Sequence, residues 1–465
     1  MASIPRVVTN MKPRSVGVVN SILQELEGVG APQASNTLES IKSIGNYINS
    51  YQPRYNQFYS TLVNRIILSI IVSKMYENPW KMFKKGMLDA SGETIEEIFN
   101  RLPEVHEYNN GDNTNSVLAA LFGKSVDAPL VAYHQINFTK YYDTSIDKKM
   151  SAMAFNSLDG LESLIQDKIR QLYAAMSYDE YWMMRFTLAQ AALDGKITPI
   201  TISDPTASEA NAKAAVKKIR SLSNNMVFKS AQYTMAGVLT ETNKEDQIVI
   251  CDTDVDASIG VDVLAVCFNK SEVDYSASRI LCDKFTDEAV ARLNTLLNIP
   301  EGSTCLSSDD ITALNTIYMY VVDKDFLMIY DKLIEVTEQP NPLNFQIKYF
   351  LHHWASFSAS PFKQAAMLTS TASAVSGVSV SPATADAAVG SSLVFTASVT
   401  KTGFVSDAVI WSVTGGAAGK GTKISSDGVL TIGAEETAET LTVKATSAVN
   451  SAVYGTAVVT LVASN

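Results

Sequence analysis

The last ninety or so residues of the chain alternate. From about Val375 onward, apolar side chains fall at every second position: Leu393, Phe395, Ala397 and Val399, then Val409, Trp411 and Val413, then Leu430 and Ile432. The pattern continues with Leu441, Val443 and Ala445, and with Ala457, Val459 and Leu461. Gly390, Gly403, Gly415, Gly416, Asp427, Gly428 and Asn450 punctuate the runs. A period of two puts successive side chains on opposite faces, and turn residues at this spacing make short strands. The segment is therefore expected to fold as a small all-β sandwich. It contains no Cys, Met, His or Arg. Such a module ordinarily decorates something larger, so the body, residues 1–374, carries the question of function.

A chain of 465 residues supports two or three domains and a sizeable core. With 46% apolar and 18% charged residues it is globular, not disordered. The net charge of −11 argues against a tight, specific nucleic-acid binder, which needs a basic face. It leaves room for a protein that surrounds nucleic acid without gripping it. Cys251, Cys267, Cys282 and Cys305 contain no Cys-x-x-Cys pair and are expected to be reduced and mostly buried. The N-terminus lacks a signal-peptide profile. The greasiest run, residues 66–72, falls short of the ~18 residues that span a bilayer, so no membrane partner is expected. The expectation is a protein made in a cytoplasm and not exported by the usual route, an odd host for a sandwich of surface-protein type.

Along the body, residues 1–24 carry Arg6, Lys12 and Arg14 and no acid, up to Gln24. They read as a basic flexible arm leading into a short helix at 18–23. Helical patterns follow at 36–50 and 55–76, closed by Asn78-Pro-Trp-Lys-Met-Phe. Residues 94–99 read as a strand whose return partner is 129–138, with a polar stretch at 108–116 between them. A two-stranded excursion is marginal alone and makes most sense lying on a second subunit.

The strongest helical signal spans 158–194, where Leu161, Ile165, Ile169, Leu172 and Met176 form one stripe. Asp159 with Glu162 resembles a capping box, and Gly195 ends the run. One continuous helix would be ~50 Å long at ~1.5 Å per residue. A second capping box at Ser177-Tyr-Asp-Glu180 offers a kink or break as the alternative. From 197 to about 365 strands and helices alternate: strands at 247–252, 279–283, 317–323, 326–335 and 349–354, helices at 260–269 and 286–299. This predicts an α+β domain with a central sheet.

Constellations for chemistry are few. His352 and His353 are adjacent on a strand, so they point to opposite faces and cannot both hold one metal. His106 and His134 stand alone. Asp252, Asp254 and Asp256 begin like a calcium loop, but Ala257 stands where its glycine belongs and Val263 where its bidentate Glu belongs. A solvated strand-to-helix turn is the reading. Glu96, Glu97 and Glu180 are acids without a visible partner. Lys81, Lys84 and Lys85, then Lys148 and Lys149, then Lys213, Lys217, Lys218 and Arg220 form small basic clusters, the last at helical spacing on a solvated face. Glycine loops for phosphate, nucleophile elbows and zincin motifs are absent from the sequence. The expectation is no catalytic, cofactor-binding or metal residues, no cofactor and no enzyme.

The segments Asn64-Arg-Ile66, Asn78-Pro79, Phe83-Lys-Lys-Gly86, Thr94-Ile-Glu-Glu-Ile98, Tyr133-His134, Asp179-Glu-Tyr181 and Val261-Asp-Val-Leu-Ala265 occur in a telling order. With the run from Val322 to Asp331, and with Asn341-Pro342, they resemble the major capsid proteins of small short-tailed bacteriophages of Gram-positive hosts, the phi-29-like group. Val409-Ile-Trp-Ser-Val413 and Ser426-Asp-Gly-Val-Leu430 resemble the core of a bacterial Ig-like module of group 2 (BIG2), covering 375–465. The resemblance implies an HK-97-type capsid fold over 1–374. Its parts would be an N-arm at about 1–50, an E-loop at about 86–146, a spine helix of the peripheral domain at about 158–194, and an axial domain at about 197–340. It further implies a virion head protein that self-assembles into pentamers and hexamers of an icosahedral or prolate shell. The implied partners are a scaffolding protein during assembly in the host cytoplasm, a portal at one vertex, and packaged double-stranded DNA bound non-specifically on the inner face. The stretch 285–315, with Val290, Leu293, Leu296 and Leu297, is longer than the family pattern. The sandwich alone would also suit a cell-surface or S-layer-type protein, which requires export, and an accessory sandwich would suit an enzyme, which requires a pocket of convergent acids or bases.

Overall fold

The computed structural model describes residues 14–28, 30–70, 78–88, 92–103, 129–155, 160–262, 278–341, 346–416 and 421–462. In chain order the helices are α1 (Arg14–Glu27), α2 (Leu38–Asn49), α3 (Gln52–Ile70), α4 (Lys148–Ala154), α5 (Gly160–Leu193), α6 (Glu209–Asn225), α7 (Thr253–Asp262), α8 (Asp287–Leu296) and α9 (Ser308–Leu314). The strands of the body are β1 (Lys84–Met87), β2 (Thr94–Phe99), β3 (Leu130–Gln135), β4 (Phe138–Asp147), β5 (Thr198–Thr201), β6 (Gln247–Asp252), β7 (Ser278–Cys282), β8 (Ile317–Asp323), β9 (Leu327–Asn341), β10 (Gln346–Ala359) and β11 (Ala365–Thr369). The class is α+β, as the alternation of patterns predicts. The chain divides into two compact units, each discontinuous in sequence.

The first unit holds residues 1–94, 135–183 and 329–357. Its sheet runs β1-β9-β10-β4. Helices α1 to α3 supply much of its core: Ile22, Leu23, Ile48, Tyr55, Phe58 and Tyr59 are fully buried, among Ile169, Leu172 and Met176 of α5 and Ile347 and Leu351 of β10. This corrects the flexible-arm reading for residues 14–24. The apolar spacing of Val16, Val19, Ile22 and Leu23 extends the expected short helix at both ends and buries it on its own subunit. Residues 1–13 lie outside the described residues.

Helix α5 is one unbroken stretch of 34 residues. The break offered at Ser177 does not occur. Asp179 and Glu180 are buried there, so they are not free to cap a new start. The capping box at Asp159 lies outside the described residues. The expected strand 129–138 is two strands. Between them, Asn137 turns its side chain onto the neighbouring strand: its Nδ2 donates to Phe357 O at 2.7 Å and its Oδ1 accepts from Phe357 N at 2.9 Å. Those bonds replace a ladder step and end β3 before β4 begins.

The second unit holds residues 95–134, 184–328 and 358–465. Its five-stranded sheet runs β5-β11-β8-β6-β7. β6 is buried at all six positions, and α6 and α7 pack Ala212, Val216, Ile219, Val255 and Ile259 against the sheet. Helix α7 starts at Thr253, because Asp252 caps it: its Oδ1 accepts from Asp254 N at 3.0 Å; of the helix expected at 260–269, residues 263–269 lie outside the described residues. Asp252 is therefore buried, not solvated.

The terminal segment forms β12 (Ala374–Ser381), β13 (Thr384–Ala388), β14 (Ser392–Val394), β15 (Thr396–Thr402), β16 (Val409–Thr414), β17 (Lys423–Ile424), β18 (Val429–Thr431), β19 (Thr440–Ser447) and β20 (Tyr454–Val462). Among the described residues these strands pair only with one another. Phe395, Leu430, Leu441, Val443, Ala457 and Val459 fill their core.

Candidate functional site

Two constellations stand out. The first is a buried charge cluster in the first unit. Asn78 starts it: its Oδ1 accepts from Trp80 N at 2.9 Å, folding Asn78-Pro-Trp-Lys-Met-Phe into a tight turn. Trp80 and Phe83 are fully buried, and Trp80 meets Tyr181 of α5 edge-on at 5.9 Å. The turn thereby delivers Lys84, at the head of β1, to Glu180 of α5 and Asp331 of β9. Its Nζ lies 2.7 Å from Glu180 Oε1 and 2.8 Å from Asp331 Oδ2. Asp331 Oδ1 lies 3.0 Å from His353 Nε2, and the fully buried His353 ring stands edge-on to Phe138 at 5.4 Å.

Burial alone would raise the Asp331 carboxyl, but the His353 hydrogen bond and the Lys84 charge outweigh it and hold the group below its ordinary value. Burial alone would lower Lys84, and Glu180 and Asp331 reverse that, so the ammonium is held above its ordinary value. The acids are committed to neutralising one cation. What the cluster does chemically is tie β1, β9, β10 and α5 together.

The second constellation is the ribbon of β2 and β3, which pair as a two-stranded sheet. Alternation along both strands gives it two faces. One carries Glu97, Phe99 and His134: His134 Nε2 lies 3.2 Å from Glu97 Oε2, Ser360 Oγ donates to Glu97 Oε1 at 2.7 Å, and Phe99 stacks on Phe362 at 5.6 Å. The other exposes Ile98 at 56%, Val131 at 38% and Tyr133 at 64%. The same face carries the exposed Thr94, Glu96 and Gln135, so apolar and polar side chains alternate with one another across it.

The other residues singled out by their sequence pattern scatter across the molecule. His352 Nε2 lies 2.8 Å from Thr337 Oγ1, on the opposite face of its strand from His353. His106 and the stretch 108–116 lie outside the described residues. Asp254 pairs with Lys284 at 2.6 Å and Asp256 with Arg279 at 2.7 Å, so the three acids of that segment diverge. Lys213 pairs with Glu209 at 2.5 Å, and Lys217, Lys218 and Arg220 are exposed on α6. Among the described residues no group of three or more His, Cys, Asp or Glu is placed to hold a metal ion. The charge cluster escaped sequence reasoning because Lys84 and its acid Asp331 are far apart along the chain. The one local signal was parity, since one of two adjacent strand histidines must face inward.

The chain matches the family described as Phi29-like phage major capsid protein over residues 18–369. It is 32% identical over 412 residues to the major capsid protein of Bacillus phage B103, covering 88% of this chain and 84% of the relative. To the major capsid protein of Bacillus phage PZA it is 30% identical over 413 residues, again 88% and 84%. A capsid structure of Staphylococcus phage Andhra overlaps 64% of this chain and 86% of its own, at 13% identity and a TM-score of 0.48. The chain belongs to the phi29-like phage major capsid protein family. Members are structural proteins of the virion head, not enzymes, and self-associate into its shell.

Proposed function

We propose that this chain is the shell subunit of a phage head with an HK-97-type fold, assembling as pentamers and hexamers around double-stranded DNA. Besides family membership, the observation that carries the assembly reading is the ribbon. Its inner face is pinned at Glu97 and Phe99, while its outer face offers Ile98, Val131 and Tyr133. A closed shell needs modest repeated contacts between copies, and an extended ribbon supplies area without a larger core. A net charge of −11 suits a container, because DNA contacts through phosphate stay weak and salt-dependent. A scaffolding protein during assembly and a portal at one vertex complete the reading. No observation favours the cell-surface alternative.

Residues 375–465 are read as an Ig-like sandwich. Two features support it: β16, β19 and β20 form one sheet with β13 added in parallel to β20, and β12 pairs with β15 in another.

The test is Tyr133→Glu together with Ile98→Glu. Both side chains are exposed, so subunit melting should stay within about 0.5 kcal/mol of wild type. Shell yield on co-expression with the scaffolding protein, counted by electron microscopy, should collapse. Normal yield from the doubly charged ribbon would overturn the reading.

A further inference from the structure

The long helix α5 ends on an open carbonyl that a lysine 208 positions later closes. The last carbonyls of any helix lack partners within it. Here Asp194 N still reaches Gln190 O at 2.9 Å. Gly195, at φ +67°, then turns the chain left-handed, so that its N–H donates to Ala192 O at 3.0 Å and Lys196 N to Ala191 O at 2.8 Å. This is a Schellman ending. It leaves Leu193 O. Lys401 Nζ donates to that oxygen at 3.3 Å and to Val405 O at 2.9 Å. An ammonium at this end also complements the helix dipole.

The approach is close on both sides of the turn 401–406. A Cβ on Gly195 would sit 2.1 Å from Ser406 N and 2.3 Å from the Val405 carbonyl carbon. Gly195 is thus required twice, once for its φ and once for lack of a side chain. A Cβ on Gly403, at φ +65°, would sit 2.6 Å from Ser373 Oγ. Phe404 N donates to the same oxygen at 3.0 Å, and the Phe404 ring is fully buried. The connecting segment and the helix end therefore both seat on one turn of the terminal strands.

We propose that the turn 401–406 is a built docking site for the carboxyl end of α5, fixing the terminal strand module on its own subunit instead of leaving it on a tether. The module then holds one orientation on every copy of the chain.

The experiment is hydrogen exchange and limited proteolysis on the full chain. Gly237 provides the control: its φ is +62°, yet nothing lies within 4 Å of a Cβ built on it. Gly237→Ala therefore carries the backbone strain alone, whereas Gly195→Ala adds the collision with Ser406. Gly195→Ala should speed exchange at the amides of Gly195, Lys196 and Phe404 at least tenfold and open residues 370–376 to protease, and Gly237→Ala should do neither. Lys401→Met keeps the aliphatic stem and should speed the same amides a few-fold. It decides the matter if Gly195→Ala does not fold. Equal behaviour of the two alanine variants with a silent Lys401→Met would overturn the proposal. So would cleavage of 370–376 in the wild type at the rate of an unstructured peptide.

Discussion

Lys84→Met should destabilise the subunit by about 3–5 kcal/mol at neutral pH, and the cost should shrink on acidification. Methionine keeps most of the lysine stem, so lost packing accounts for less than about 1.5 kcal/mol. The rest is electrostatic. The Lys84 ammonium lies between two carboxylates whose side chains are only 5% and 9% exposed. Removing it leaves Glu180 and Asp331 buried without their cation. In the wild type Asp331 is held below its ordinary 3.8, so its contribution is present above that value and is lost as pH falls through the lower folded value. Lys84 is held above 10.5, so its contribution is complete below that value and is lost as pH rises through the higher folded one. The cluster is therefore intact across the neutral range. In the variant, burial still raises the Asp331 carboxyl while only the His353 hydrogen bond opposes it, so that acid is protonated more readily as pH falls and the penalty is relieved. Urea unfolding of the unassembled subunit at about pH 7 and about pH 5 measures this. At neutral pH the midpoint should fall by about 1 M or more. In mild acid the shift should be visibly smaller. The same shift at both pH values would refute the electrostatic account and return the effect to packing.

Two further outcomes follow from burial. Leu293 of α8 is fully buried, so Leu293→Ala should cost about 2–5 kcal/mol, measured by chemical unfolding; a cost under about 1 kcal/mol would mean that the stretch 285–315 lacks a packed core of its own. Burial pushes the Cys282 thiol up to about 11 and Cys251 higher still, whereas Cys305 is half-buried and only raised. A maleimide at neutral pH should therefore label Cys305 first among these three and reach Cys251 and Cys282 only on unfolding; labelling of Cys251 at the Cys305 rate would contradict this.

Period-two and period-3.6 patterns carried most of the elements. Strands β6, β8 and β19 and helices α5 and α8 lie where their apolar spacing puts them, and Gly195, Gly403 and Gly428 adopt the positive φ that their turn role requires. Boundaries failed where a single side chain overrode the pattern. Asn137 ended a strand by taking bonds from Phe357, and Asp252 began a helix at Thr253 by capping it. The flexible-arm reading does not hold for residues 14–24, because the spacing of Val16, Val19, Ile22 and Leu23 outweighs the basic composition. The charge cluster around Lys84 and the seat for α5 at Lys401 depend on long-range proximity, which no local pattern encodes. The exposed face of the ribbon was legible as an excursion, but its apolar edge emerged only once Ile98 and Tyr133 were seen on the outside.

The strand order of the central sheet also sets a schedule for synthesis. β11 lies between β5 and β8, pairing Ala366 with Thr198 on one side and with Val321 on the other. β5 must therefore wait for a partner made some 160 residues later, about 10–30 s at ~5–20 residues per second. Until then the buried strands β6 and β8 have no completed sheet on that side. A chain released before β11 lacks the strand that joins the two parts of its sheet, so it cannot present a finished subunit to its neighbours. The topology makes translation through Thr369, not merely through β8, a condition for a completed central sheet.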